Sequence, residues 1–186
     1  MVTIKEHNFI TQVHEMTVEQ FSKATAIFND ESKLNVEKYL DVIESLGAPS
    51  EIIDELTNDE LFQIIKSFSE KTTVFDNDHT LPRTITWNGW VYEAFPEGEE
   101  FKIKARDLAL IEKAVNNKED FYQTLLSILF KDPNLVNETY NKTHLEYKKS
   151  LFSKLPAEPY LGYLTEVSKI LTEKISNAFK TAQETA

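Results

Sequence analysis

Apolar residues recur every three or four positions along most of this chain, which places them on one face of an α-helix. The spacing predicts eight helices before any other property is considered. Their apolar positions cover residues 18–28, 36–46, 52–56, 61–68, 108–115, 121–130, 147–152 and 160–180. The segment 121–130 is apolar on more than one side, as expected of a buried central helix.

Residues that favour helix ends lie at several of the predicted boundaries. Thr17, Thr57 and Thr143 are each followed three positions later by glutamine or glutamate. In that spacing the threonine hydroxyl accepts from a helical N–H, and the longer side chain reaches back to the threonine N–H. Asn35 is the expected cap of the second helix. Gly47 follows that helix, where a left-handed residue commonly ends one.

The stretch 84–93 departs from helical spacing and reads Thr-Ile-Thr-Trp-Asn-Gly-Trp-Val-Tyr-Glu. An Asn-Gly pair between β-branched and aromatic residues predicts a β-hairpin, because both central positions of its tight turn need a positive φ. A two-residue loop would put four large side chains on one face of this ribbon. The expected cross-strand pairs are Trp87 with Trp90 and Ile85 with Tyr92.

Two shorter segments also alternate between apolar and polar residues, as strands do. Val2 and Ile4 predict a short N-terminal strand that joins the central hairpin. Residues 101–104, Phe-Lys-Ile-Lys, predict a third strand of the ribbon. A two-stranded ribbon alone is marginal in water, so its aromatic face is expected to pack on the helices.

These patterns predict a mainly α fold with a minor α+β part. A helical N-terminal unit with extended first residues spans 1–69, and 70–83 breaks the pattern as a linker. Residues 84–186 then form the Asn-Gly hairpin, or a small three-stranded ribbon, with a C-terminal helical layer. One continuous domain remains the alternative.

Charge and cysteine content narrow the function classes. The chain has 31 acidic and 20 basic residues, a formal charge of −11, and no cysteine. An acidic surface repels phosphates, so we expect no binding to nucleic acid or to an anionic membrane. Disulfides and thiol catalysis are excluded. No apolar run has the roughly 20 residues of a membrane span, and no signal peptide is visible, so a soluble cytoplasmic protein is expected.

No motif in the chain predicts catalysis or cofactor binding. The four glycines are too dispersed for a phosphate-binding loop, and no two of the four histidines have metal-ligand spacing. Asp76 and Asp78 resemble the opening of a calcium loop, but its sixth and twelfth positions are Leu81 and Trp87. We therefore expect a non-enzyme without metal or cofactor. An enzyme with an unrecognised site is the alternative from another class.

The aromatic ribbon residues allow two interpretations. They can be core residues that pack on the protein's own helices. They can also form a protein-binding patch, since Trp and Tyr are enriched among residues that dominate binding energy. An open ribbon edge could in addition accept a strand from a partner. The predicted protein-binding residues are Trp87, Trp90, Tyr92 and Ile85.

Several short segments taken in order resemble one family, the small acidic proteins of the structural-gene modules of tailed bacteriophages. The resemblance covers most of residues 16–170. The matching segments are Met-Thr-Val-Glu-Gln-Phe at 16–21, Leu-Gly-Ala-Pro-Ser at 46–50, Leu-Thr-Asn-Asp-Glu-Leu at 56–61, the Ile85-x-x-Asn88-Gly89-x-x-Tyr92 hairpin, Asp107-Leu108, Leu125-Leu126-x-Ile128-Leu129 and Phe152-x-x-Leu155-Pro156-Ala157-x-x-x-Leu161-Gly162. The chain departs from the family by its two tryptophans and by the long connection at 70–82.

The resemblance implies a non-catalytic protein similar to tail-assembly chaperones, which bind tail components before polymerisation. Its implied partners are phage structural proteins, tail or connector subunits among them, and a homo-oligomer is an open alternative. A second version is a stoichiometric virion component, such as a head–tail connector or cargo protein. The implied location is the cytoplasm of the infected bacterium or the virion.

Overall fold

The computed structural model describes residues 2–69, 84–94, 105–117, 120–131, 142–162 and 164. These residues are mainly helical with two small antiparallel sheets, which confirms the predicted fold class. The α-helices are α1 (Val18–Phe28), α2 (Asn35–Ser45), α3 (Ser50–Asp54), α4 (Asn58–Ser69), α5 (Ala105–Asn117), α6 (Phe121–Leu129) and α7 (Lys142–Phe152), and a 3-10 helix spans Val13–Glu15. The strands are β1 (Val2–Ile4), β2 (His7–Phe9), β3 (Thr84–Trp87), β4 (Trp90–Ala94) and β5 (Phe130–Lys131).

The N-terminal strand does not join the central hairpin, so that prediction is wrong. β1 pairs with β2 in a sheet of its own. The turn between them is made by Lys5 and Glu6, which have φ angles of 50° and 65°. Positive φ is uncommon for such residues. The pair is anchored because Ile4 and Phe9 are buried in a cluster with α2 and α4 residues.

Helix α1 begins at the predicted capping box. The Gln20 N–H donates to the Thr17 hydroxyl at 3.3 Å, and the Thr17 N–H donates to Gln20 Oε1 at 3.0 Å. Two backbone bonds tie the same turn to the C-terminal half: Val18 N–H to Leu155 O at 2.8 Å and Glu19 N–H to Ser153 O at 3.0 Å. The cap therefore lies at a junction between distant parts of the chain.

Thr17→Ala is expected to lower the free energy of unfolding by about 1 kcal/mol, the usual cost of losing a helix cap. Urea denaturation followed by circular dichroism would measure it. Thr57→Ala, at the equivalent box of α4, is the matched comparison, since its box is exposed and is closed by bonds of 2.8 and 3.3 Å to Glu60. Unchanged stability in both variants would contradict the role of the boxes.

The cap prediction for α2 is wrong by one residue, and its C-terminal prediction is confirmed. Leu34 occupies the cap position, with its N–H donating to the Glu37 carboxylate at 3.4 Å, so Asn35 is the first helical residue. A glutamate at the third position thus closes the turn without a side-chain acceptor at the cap. Gly47 has φ of 101°, and its N–H donates to Glu44 O at 2.9 Å.

The end of α6 differs from the prediction. The helix stops at Leu129, and β5 pairs antiparallel with β4, with Glu93 opposite Lys131 and Ala94 opposite Phe130. The central ribbon is thus three-stranded, in the order β3-β4-β5. Helical spacing does not reveal this change, because α6 and Phe130 are buried together and no polar face marks the last turn.

Helix α7 starts one residue before the predicted cap, so Thr143 lies in its first turn. Its last residue, Phe152, is fully buried. The turn after it pairs Pro156 with Thr17 in an isolated bridge. Residues 158–162 are helical again and agree with the start of the predicted last helix. Residue 164 is also helical, whereas residues 163 and 165–180 of that helix, the strand at 101–104 and the linker at 70–83 lie outside the described residues.

Buried clusters draw on both sides of residues 70–83. The largest contains Val18 from α1 with residues of the ribbon, α5, α6 and α7. A second joins Met16, Ala24 and Val42 to Ala157 and Leu161. The ribbon is therefore anchored in a core to which α1 also contributes.

Candidate protein-binding surface

The central hairpin forms in the predicted register. Thr86 pairs with Val91, Ile85 with Tyr92 and Trp87 with Trp90. Asn88 and Gly89 have φ angles of 50° and 81°, as the two-residue turn requires. The turn and register were both predicted correctly.

The four predicted binding residues do not share one environment. Ile85 and Tyr92 are buried, and the Tyr92 ring meets Phe152 edge-on with ring centroids 5.0 Å apart. Both belong to the main core, and in this packing they are covered by other residues. Their role is to hold the ribbon in place.

At the turn end of the hairpin, apolar side chains reach solvent. Trp87 is half-buried and packs against the core. Trp90, opposite it, is 52% exposed, and Val91 beside it is 41% exposed. The exposed large apolar residues of the ribbon are therefore Trp90 and Val91, and Trp87 lies opposite Trp90. We call these three residues the ribbon tip.

Val91 was not among the predicted binding residues. By strand alternation it points to the opposite side of the ribbon from the tryptophans. Alternation gives this side of the ribbon but not its exposure, which comes from the structure. The structure adds that its neighbour Trp90 is exposed as well, because the core does not extend to the turn end of the ribbon.

Strand β3 lies at the outer position of the three-stranded sheet, and within the described residues no strand pairs with its free side. Thr84 and Thr86 are exposed along it. Such an edge presents unpaired backbone groups beside the ribbon tip, and a partner strand can add to it.

Exposed apolar side chains also occur elsewhere. Phe62 on α4 is 64% exposed, while Leu34 and Val36 lie exposed at the start of α2. Single exposed apolar residues are normal on soluble proteins. The ribbon tip differs from them because it combines a tryptophan with a strand edge that is unpaired among the described strands.

The described residues contain no group of three or more histidine, aspartate or glutamate side chains placed to hold a metal ion. Among the helices of these same residues, none is both long and apolar enough to cross a membrane. Comparison of the chain with protein-family models, with curated proteins and with solved structures found no match.

Proposed function

We propose that this protein is a non-catalytic morphogenesis factor of a tailed bacteriophage that binds another phage structural protein, in the manner of a tail-assembly chaperone. The observation that carries the binding part is the ribbon tip, where Trp90 is 52% exposed next to β3, whose outer side no other described strand pairs. The phage part is supported by the sequence resemblance described above.

The energetic argument for the ribbon tip rests on what a partner would gain there. Burying an exposed tryptophan removes a large apolar area from water, at about 25 cal/mol per Å². Trp87 and the buried pair Ile85 and Tyr92 already fix the backbone beneath it. A preorganised aromatic residue loses little conformational entropy on binding, which is typical of binding hot spots.

The overall charge suggests the kind of surface that would be recognised. With a formal charge of −11, the chain favours a partner with basic residues around an apolar contact. Such a partner would be a tail or connector subunit, bound before it polymerises, in the cytoplasm of the infected bacterium. A self-associating homo-oligomer would have to bring equal negative charges together.

Quantitative mass spectrometry of gradient-purified particles beside the infected-cell lysate separates the two versions of this function. An assembly chaperone is expected to be abundant in the lysate and depleted from particles by about tenfold or more. A fixed ratio to the portal or tail proteins in particles would instead identify a stoichiometric virion component, the alternative. Both versions would be contradicted if the protein co-sedimented with no phage structural protein in either sample.

A further inference from the structure

The first two strands and the turn between them, residues 2–9, form a small hairpin that packs on α2 and α4. We call this hairpin the N-terminal strap. Its two anchors are Ile4 and Phe9, which are 7% and 1% exposed. They are buried in one cluster with Ile43 of α2 and Ile64 of α4. The strap therefore covers apolar residues of the N-terminal helices.

The apolar contacts of the strap lie in that single cluster. Among the described residues, none of 2–9 belongs to the main cluster around the ribbon, and none belongs to the cluster that contains Met16 and Ala24. If the strap moved away, both of these clusters would keep their own packing. Such a segment can open at a lower free energy than the whole domain, because local opening breaks only its own contacts.

The residues that follow the strap are fixed to the end of α4 by polar contacts. The hydroxyl oxygens of Thr11 and Ser67 lie 2.7 Å apart, and Gln12 Nε2 donates to Ser67 O at 2.5 Å. Thr11 and Gln12 are both buried, so water competes little for these bonds. They hold the chain in place directly after Ile10. The strap is thus tethered at one end by contacts that its own movement does not break.

The turn of the strap is strained. Lys5 and Glu6 have φ angles of 50° and 65°, in a two-residue turn that favours Asn-Gly. In the left-handed region Cβ lies too close to the next carbonyl oxygen, and here two consecutive residues carry a Cβ. The central hairpin meets the same requirement with Asn88 and Gly89. Opening of the strap relieves this strain, because both residues can then return to a negative φ.

A contact at the tip holds the strained turn in place. Lys5 Nζ donates to Glu55 O and lies 3.6 Å from the Glu55 carboxylate. The side chain of Glu55 is 74% exposed, and ion pairs in such surroundings contribute little. The closed position therefore depends mainly on the burial of Ile4 and Phe9.

We infer that the N-terminal strap is a conformational device that opens as one unit about residues 10–12 while the helices remain folded. In the closed form it covers Ile43 and Ile64, and in the open form it leaves them accessible. This differs from fraying of a chain end, in which protection rises gradually from Val2 to Phe9. The inference does not involve the ribbon tip.

Hydrogen exchange of the full chain, followed by NMR at urea concentrations below the unfolding transition, tests the inference. Protected amides of residues 3–9 are expected to have similar protection factors, at least about 100-fold lower than those of residues 125–129 in α6. Their dependence on urea should be weak, because opening exposes little surface. Protection and urea dependence equal to those of α6 would overturn the inference. A gradual rise in protection from Val2 to Phe9 would overturn it as well.

Glu6→Gly removes one source of the strain, since glycine adopts a positive φ readily. It should therefore reduce the open population about threefold or more, with the same effect on the amides of Ile4 and Phe9. Glu31→Gly is the matched control, because Glu31 is an exposed turn residue whose φ is not positive. It should increase protection nowhere. Unchanged protection of the strap in Glu6→Gly would contradict the role of the strained turn.

An introduced cysteine reports the uncovering directly, because the chain has no other. Ile64→Cys, in the cluster of the strap, should react with a thiol reagent at least about tenfold faster than Ile111→Cys, which is equally buried in the main cluster. Adding Glu6→Gly should slow labelling at position 64 and leave position 111 unchanged. Equal labelling of the two positions would overturn the inference. If either cysteine variant fails to fold, the exchange measurements on the unsubstituted chain decide the question.

Discussion

Phe152→Ala is expected to lower the free energy of unfolding by about 3–5 kcal/mol. The ring is fully buried in the main cluster and meets Tyr92 edge-on, so it joins α7 to the central ribbon. Truncation removes apolar burial and leaves a cavity that rigid neighbours fill poorly. Whole domains are stable by only about 5–15 kcal/mol, so this is a large share of the total. In a chain of this length the loss would lower the melting temperature by roughly 6–20 °C.

Urea denaturation monitored by circular dichroism would measure this loss. Phe152→Leu keeps most of the volume and gives a smaller, measurable loss if the alanine variant fails to fold. Tyr147→Ala is the matched control on the same helix, because Tyr147 is exposed. Its effect should stay within about 1 kcal/mol. Equal stability of the Phe152 and Tyr147 variants would contradict the packing of the ribbon on α7.

Trp90→Ala should have the opposite profile, with a large loss of binding and a small loss of stability. A hot-spot tryptophan contributes about 2 kcal/mol or more, which corresponds to roughly a 30-fold weaker complex. Its cross-strand contact with Trp87 is worth only about 0.2–1 kcal/mol, and half of its surface is already in water. Folding should therefore survive the change.

The amount of phage structural protein that co-purifies with a tagged protein from infected cells measures this effect, with a thermal melt of each variant beside it. Phe62→Ala is the control, since that residue is at least as exposed but lies on α4 and not on the ribbon. Unchanged capture by Trp90→Ala would remove the ribbon tip from the interface. A collapsed melt would show that Trp90 is needed for folding.

The central hairpin was predictable because its determinants are local. Asn88 and Gly89 adopt the positive φ that their residue types tolerate, and the register follows from a two-residue loop. Most helix positions followed from apolar spacing for the same reason. The capping boxes at Thr17 and Thr57 gave two starts correctly.

The N-terminal hairpin was not predictable, because its cause is tertiary. Lys5 and Glu6 take a positive φ against their preference, and burial of Ile4 and Phe9 against α2 and α4 holds the strands together. No local sequence signal predicts this turn. A strand at Val2 was expected, but its partner was assigned wrongly.

Apolar spacing did not predict that the helix ends before Phe130 and that this residue belongs to a strand. A segment buried on all sides has no polar face whose phase would reveal where the helix ends. Here a buried lysine from α7 donates to the carbonyl of the strand residue: Lys148 Nζ lies 2.6 Å from Phe130 O. Because lysine is rarely buried, a prediction from the sequence would place Lys148 on the solvent-exposed face of its helix.

The sequence predicted which side of the ribbon carries the aromatic residues, but not how much of that side is buried. Alternation placed Ile85, Trp87, Trp90 and Tyr92 on one side of the ribbon, and the register agrees. How far the core extends along that side depends on α6 and α7, which cover Ile85 and Tyr92 and leave the turn end open. That boundary depends on long-range packing.

The most direct test of the proposed function replaces Trp90 with the photo-crosslinking residue p-benzoylphenylalanine in phage-producing cells. Mass spectrometry then identifies whatever becomes attached to position 90, with position 62 on α4 as the matched site. The account predicts that a phage tail or connector subunit is crosslinked from position 90 and at least about tenfold less from position 62. Crosslinks to host proteins alone, or to no protein at all, would contradict it.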